Sequence, residues 1–225
     1  MVNQKAVVAG ATGLIGKELV QLLLTEPRYT SVTLLVRRST GISHPKFHEE
    51  IIEFDQLEQS HVDLSGADVY CTLGTTIKKA GSQEAFRKVD YSYPLALGRL
   101  AKAQGAKQFL IVTSMGANPK SRTFYIRVKG EVEEGLLELK LPALHFFRPS
   151  LLLGNREEFR LGERVSTVVS GLVSPLFTGP LRKYKPVHAR TVAKSMLQAA
   201  QNGMQGSHVY ESDQIQAAST GNEGK

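Results

Sequence analysis

Short apolar runs alternate with amphipathic stretches along most of the chain. Lys5–Ala9 reads as a strand, and Leu14–Leu24 as a helix whose Leu14, Ile15, Leu19, Leu22 and Leu23 recur near the 3.6-residue period. Pro27 follows its end. Ser31–Val36 reads as a second strand, Ile51–Phe54 as a short third and Asp68–Leu73 as a fourth. Ser82–Gln104 carries a long helical pattern with Pro94 inside it, which predicts a kink or a break, because proline lacks the amide hydrogen and clashes with the preceding turn. Gly105 suits the stop. Gln108–Thr113 is a fifth strand, Phe124–Leu139 a helix and Ala143–Phe147 a sixth strand. After Pro149 the pattern is broken by Gly154, Gly162, Gly171, Pro175, Gly179, Pro180 and Pro186. A helix near Thr191–Gln201 and a last short strand at Val209 follow. From Ser212 onward the chain is polar and is expected to fray.

Strands that are apolar on both faces and separated by helices predict an α/β fold, a doubly wound parallel sheet covered on both sides. Gly10-Ala11-Thr12-Gly13-Leu14-Ile15-Gly16 lies between the first strand and the first helix. Glycines at this spacing let the chain turn sharply and bring backbone N–H groups at a helix N-terminus up to an anion. The strand before the triplet and the amphipathic helix after it are the context in which it signals dinucleotide binding. The expected organisation is therefore one Rossmann domain over residues 1–211, with residues 150–211 contributing a small irregular C-terminal substrate lobe and residues 212–225 a flexible tail.

In such folds the residue that selects between NAD and NADP lies ~20 positions beyond the last glycine, at the end of the second strand. An acidic side chain there would hold a ribose 2′-hydroxyl. This chain has Arg37 and Arg38, which offer a bidentate grip on a 2′-phosphate and stacking on the adenine. NADP(H) is the expected cofactor, ahead of NAD(H). Asp55, past the third strand, is placed to meet the adenine amino group. Gly74 and Thr75, past the fourth, are placed to pass close to the cofactor ribose.

Tyr125 and Lys129 are four apart on a predicted helix and share a face. Ser114 ends the fifth strand, at the carboxyl edge where ligands of these sheets bind. A phenol ordinarily titrates near ~10, and an adjacent ammonium favours its deprotonated form. Tyr125 is then the candidate general acid in reduction and general base in oxidation. Lys129 can also bond the nicotinamide ribose, and Ser114 can orient a carbonyl and steady charge on its oxygen.

GATGLIG, the Ser114–Tyr125–Lys129 order and the FRPS segment at Phe147–Ser150 resemble the short-chain dehydrogenase/reductases, specifically their atypical branch. CTLGTTIKKAG (Cys71–Gly81), VDYSY (Val89–Tyr93), YIRVKGEVE (Tyr125–Glu133) and FRPSLLLGNREE (Phe147–Glu158) are similar to segments of the Tat-interacting oxidoreductase-like proteins. The resemblance implies NADPH binding and the Ser/Tyr/Lys roles given above. It also implies that Arg148, Pro149 and Leu152 pass near the cofactor and that Thr113 lines the same cleft. The asparagine that forms a fourth catalytic member in many short-chain dehydrogenases has no counterpart here; Asp90 or Ser92 lies in roughly that helix, and neither is assigned. The stretch beyond Pro149 is short for the sugar-nucleotide lobe of the extended epimerases, which weakens an epimerase reading.

Composition narrows the remaining classes. The chain has 225 residues, 41% hydrophobic and 22% charged, and no run approaches the ~20 apolar residues of a membrane span. The net charge of +7 comes from basic residues spread along the chain rather than gathered in a nucleic-acid patch, so neither nucleic acid nor membrane is expected as a partner. Cys71 is the single cysteine, which excludes an internal disulfide and a zinc cluster built on cysteines. His188, just before a helix, suits a structural hydrogen bond ahead of a place in the substrate cleft; the other histidines show no metal-ligand spacing with carboxylates, and no metal is expected. The N-terminus shows no targeting pattern, and cytoplasmic placement is expected. The apolar segment Gly171–Phe177 suits either a subunit or partner contact or a cover over the cleft. Two functions fit: an NADPH-dependent oxidoreductase passing hydride to a small carbonyl compound, or a non-catalytic NADP(H)-binding redox sensor acting through a protein partner.

Overall fold

Seven parallel strands form the centre of the computed structural model, which describes residues 4–153 and 184–220. In chain order the elements begin with β1 (Gln4–Ala9), α1 (Leu14–Thr25), β2 (Tyr29–Val36) and β3 (Phe47–Ile51), followed by a 3-10 turn at Phe54–Gln59 and β4 (Asp68–Cys71). Then come α2 (Ile77–Ala80), α3 (Gln83–Arg87), a π-helical turn at Lys88–Ser92, α4 (Tyr93–Ala103) and β5 (Gln108–Val112). The chain continues through α5 (Phe124–Glu138), β6 (Ala143–Arg148), β7 (Leu152–Leu153), β8 (Val187–His188), α6 (Ala189–Asn202), β9 (Gly206–Glu211) and α7 (Ser212–Thr220). The sheet order is β3-β2-β1-β4-β5-β6-β9. The order reverses between β1 and β4, and it is outside the carboxyl ends of such neighbouring strands that open α/β sheets bind ligands.

The strands are apolar on both faces because helices cover both. Val8, Leu34, Tyr70, Leu110 and Phe147 face a core shared with α1 and α6, through Leu19, Leu23, Val192 and Met196. Val7, Leu35, Val69, Ile111 and Phe146 face the other, shared with α4 and α5 through Leu97, Ala101, Val132 and Leu136. Burial of these side chains, at roughly 1.5–3 kcal/mol each, is what holds the layers together. A polar network pins the amino ends of the strands. Tyr29 donates to Asp68 (2.6 Å), and Gln108 donates to Asp68 (2.6 Å) and to the Ala200 carbonyl of α6 (2.9 Å).

Three elements differ from expectation. The third strand is Phe47–Ile51 rather than Ile51–Phe54. It is an edge strand whose Glu49 and Glu50 hide the apolar alternation, as charge on edges commonly does. The helical stretch 82–104 stays helical through Pro94: Lys88, Ser92 and Tyr93 all keep right-handed helical angles, and the irregularity is a π-helical turn immediately before the proline, one of the recognised ways a helix accommodates a lost backbone bond. Residues 212–220, expected to fray, form α7, which buries Ile215 against the first core. The segment Gly171–Phe177 lies outside the described residues. β7 pairs with β8, Ser150 donates to the Lys185 carbonyl (2.5 Å), and Ser212 of α7 donates to Ser150 (2.9 Å).

β9 docks on β6 through rings. His145 stacks on His208 with centroids 5.3 Å apart and bonds the Tyr210 hydroxyl at 3.2 Å, while Tyr210 stacks on Phe147 at 4.7 Å. Burial, and secondarily the nearby His208, pushes His145 down from 6.5 to about 4. The unfolded chain therefore takes up a proton at higher pH than the native one, and this contribution to stability is complete above pH 6.5 and lost as the pH falls through about 4. Urea midpoints measured at pH 7 and near pH 4 should converge in His145→Gln, which should show half or less of the wild-type acid loss.

Candidate active site

The turn between β1 and α1 is built by close approach. Gly10 has φ +88°, and a Cβ there would fall 2.6 Å from the Thr72 carbonyl carbon. A Cβ on Gly16 would fall 2.1 Å from the Gly10 carbonyl oxygen. The helix end is thereby drawn against the sheet, and the Gly13 amide bonds the Gly10 carbonyl at 3.0 Å. Ile15 is buried in the core and anchors the first turn, and Leu14 packs at its margin. Gly13 is the N-cap and no side chain caps it, so the first amides of α1 are open to an outside acceptor.

A cleft of about 650 Å³ opens over this turn, lined among others by Gly10, Thr12, Gly13, Arg37, Arg38, Gly74 and Thr75. These seven are all residues expected to bind the cofactor. Arg37 and Arg38 are exposed at the end of β2 and make no hydrogen bond or ion pair with the described residues. Phe54, Lys79, Val89 and Tyr93 also line the cleft; the last three fall in the segments CTLGTTIKKAG and VDYSY, but the sequence singles out none of the four as a site residue. Asp55 is at the same end but outside the lining: its carboxylate is held by Lys88 at 2.8 Å and by the Tyr93 hydroxyl at 3.1 Å. The Lys88 hydrogen bond holds it below the usual carboxylate range. The fit of a dinucleotide rests on three observations here: glycine positions that exclude a Cβ, uncapped helix amides and two unpartnered guanidinium groups.

Ser114, Tyr125 and Lys129 are not among the lining residues of that cleft; Lys129 adjoins it at Gly74, where a Cβ would come 3.8 Å from its Nζ. Ser114 follows β5, is 8% exposed, and its Oγ has no partner among the described residues. Buried hydroxyls are nearly always bonded, so an orphan here points to a ligand oxygen or a water. Tyr125 and Lys129 lie on one face of α5, with the Lys129 Nζ 6.0 Å from the Tyr125 ring centroid. Tyr125 packs on Phe86 at 5.7 Å. The helix is set close to the loop after β5, where a Cβ on Gly130 would fall 2.2 Å from the Asn118 carbonyl carbon. One backbone contact thus places the Tyr/Lys face relative to Ser114.

Lys129 is buried and its Nζ lies 2.7 Å from Asp90 Oδ1 in the π-helical turn. Asp90 Oδ2 accepts from the Thr75 amide at 2.9 Å. Burial disfavours the ammonium, but the charge of Asp90, with less from Tyr125, outweighs it and leaves Lys129 above its ordinary value. Asp90, left unassigned from sequence, is therefore joined to both the cleft wall and α5. A bulge that shifts helical register carries no compositional signal, so spacing alone did not place it.

Arg148 and Thr113, expected at the cofactor, are turned elsewhere. Arg148 bonds Glu133 through Nε (3.0 Å) and Nη2 (2.5 Å) and Glu211 through Nη1 (3.1 Å), and the Glu133 hydrogen bonds hold it above its ordinary value. The Thr113 hydroxyl donates to the same Glu133 at 2.6 Å. Both side chains fasten α5 to the sheet. Pro149 is buried and its carbonyl accepts from the Met115 amide at 3.0 Å, while Leu152 is half-buried on β7.

This geometry defines a nicotinamide-nucleotide-binding Rossmann protein. Residues 10–150 match the model of the NAD(P)H-binding family, and the chain belongs to that family. It is 39% identical over 167 residues to Protein HTATIP2 of Rattus norvegicus, covering 72% of this chain and 69% of that one. It is 34% identical over 205 residues to Protein FMP52, mitochondrial, of Candida albicans, covering 88% and 89%. Among solved structures the fold is similar to the human epimerase family protein SDR39U1 with NADPH (TM-score 0.59, 18% identity, 92% of this chain and 73% of that one). It is likewise similar to MoeE5 in complex with UDP-glucose and NAD (TM-score 0.66, 15% identity, 91% and 74%). The family resemblance drawn from the sequence is borne out by the NAD(P)H-binding match and by the 39% identical relative, and nicotinamide-nucleotide binding follows. The expected cytoplasmic placement is corrected: fungal relatives are named as mitochondrial proteins. No helix among the described residues is long and apolar enough to cross a membrane.

Gly16→Ala should lower the melting temperature by several degrees and abolish nucleotide binding. Gly13→Ala, whose Cβ would meet the Gly10 carbonyl oxygen at 3.3 Å, should fold and still weaken binding tenfold or more. Thermal scans with and without NADPH check both.

Proposed function

We propose that the protein is an NADP(H)-dependent oxidoreductase that reduces a small carbonyl compound. The observation that carries this reading is the buried, unpartnered Ser114 hydroxyl beside a helix that presents Tyr125 over a buried, charged Lys129. A reduced nicotinamide in the cleft would supply the hydride. Ser114 would donate a hydrogen bond to the substrate oxygen and hold it in place. The Tyr125 phenol would pass its proton to that oxygen as the carbonyl carbon is reduced, and the Lys129 ammonium would steady the phenolate left behind. Gly10, Thr12, Gly13 and the first amides of α1 would hold the pyrophosphate. Arg37 and Arg38, which line the cleft and pair with no carboxylate among the described residues, would grip the 2′-phosphate bidentately, and this favours NADPH over NADH.

Binding of NADPH should be at least tenfold tighter than that of NADH by fluorescence titration, and Arg37→Ala should remove most of the difference. Equal affinities in the wild type would refute the cofactor preference. NADPH carrying deuterium at its transferable position, incubated with a small-metabolite extract, should label a product with the wild type, and Tyr125→Phe should cut that labelling a hundredfold or more. NADPH binding without any labelled product would favour a sensor that acts through a protein partner.

A further inference from the structure

We propose that Asp90 is the counter-ion that keeps Lys129 charged inside the protein and, through the Thr75 amide, positions that charge against the cofactor cleft. Lys129 is 5% exposed and Asp90 1%. An ammonium at such depth needs an opposite charge or it surrenders its proton. The groups that face Lys129 come from three elements. From its own helix there is Tyr125; from β4 there is Cys71, whose thiol burial pushes up to about 12, so that it is neutral and cannot compensate; from the π-helical turn there is Asp90. Glu133, one turn along α5, is engaged by Arg148 and Thr113. Asp90 is thus the one carboxylate in contact with the ammonium among the described residues.

The second link runs to the cleft. The Asp90 carboxylate spans Lys129 on one oxygen and the Thr75 N–H on the other. Gly74 lies directly beside this arrangement: a Cβ there would come within ordinary contact of both groups, 3.5 Å from Asp90 Oδ1 and 3.8 Å from Lys129 Nζ. Gly74 and Thr75 both line the cleft. The carboxylate therefore does two things that an amide at this position would do only in part, since an amide keeps the Thr75 bond and loses the charge. Asp90 is a positioning residue, acting through Lys129.

The inference takes its meaning from the proton-transfer reading of the site, yet its readouts need no turnover. Lysine labelled with 13C and 15N is titrated by NMR, the Lys129 signal being identified by its absence in Lys129→Gln. In Asp90→Asn the Lys129 midpoint should fall by roughly two units or more, the scale of burial without a counter-ion, whereas Asp90→Glu should stay near the wild type. A midpoint in Asp90→Asn within half a unit of the wild type overturns the proposal. Should Asp90→Asn fold poorly, melting temperatures of Asp90→Asn, Lys129→Met and the double variant decide: a buried pair predicts that the double variant regains stability relative to Asp90→Asn, and simple additivity overturns the proposal. Absence of any hydride transfer would count against the proposed function and leave these outcomes unchanged.

Discussion

Between the amino end of α1 and the first strand there is no space for a methyl group. Gly16 lies against the Gly10 carbonyl and Gly10 against the backbone of Thr72, so the helix, β1 and β4 meet backbone to backbone where the strand order reverses. Everything that makes a cleft here depends on that meeting. It brings uncapped amides to the floor, and it sets Arg37 at the end of β2 and Gly74 beyond β4 on opposite walls of one cavity. A bulkier side chain at either glycine would move α1 outward and separate the walls from the floor.

The chemistry-bearing helix is held in a different manner, by charge as well as by contact. α5 is bedded at Gly130 on the loop after β5. It is fastened to the sheet by Glu133, which Arg148 and Thr113 both bond, and to the π-helical turn by Lys129 and Asp90. Isolated buried charges are costly, and each is matched by one of opposite sign across an element boundary. The pairs consequently define where α5 sits relative to β6 and to α4, which apolar packing alone would leave free to slide by a fraction of a turn. Tyr125 inherits that placement.

Much of this was legible in the residues. The alternation of apolar runs and helices gave the sheet, because strands covered on both faces carry little but apolar side chains. GATGLIG and the two arginines after β2 marked the cleft, since backbone approach and phosphate charge leave their signatures at fixed distances along the chain. The chemistry of Asp55, Thr113 and Arg148 was less legible: spacing placed them near the carboxyl edge, but their partners Lys88, Tyr93, Glu133 and Glu211 come from distant segments. Asp90 was obscured by a register shift in the backbone. The strand at Phe47–Ile51 was hidden by edge charge, and α7 by a polar composition in which Ile215 is the one fully buried apolar side chain among the described residues.

The Lys185 carbonyl has a consequence for the far end of the chain. It accepts hydrogen bonds from Ser150, after β6, and from Gln216 of α7, next to the paired β7 and β8, and Ser212 adds a bond to Ser150. Terminal segments of a domain stay ordered only where something ties them down, and here one backbone oxygen does so. Because the acceptor is backbone, the fastening does not depend on which side chain residue 185 carries, so the exposed Lys185 can be exchanged while α7 keeps its anchorage.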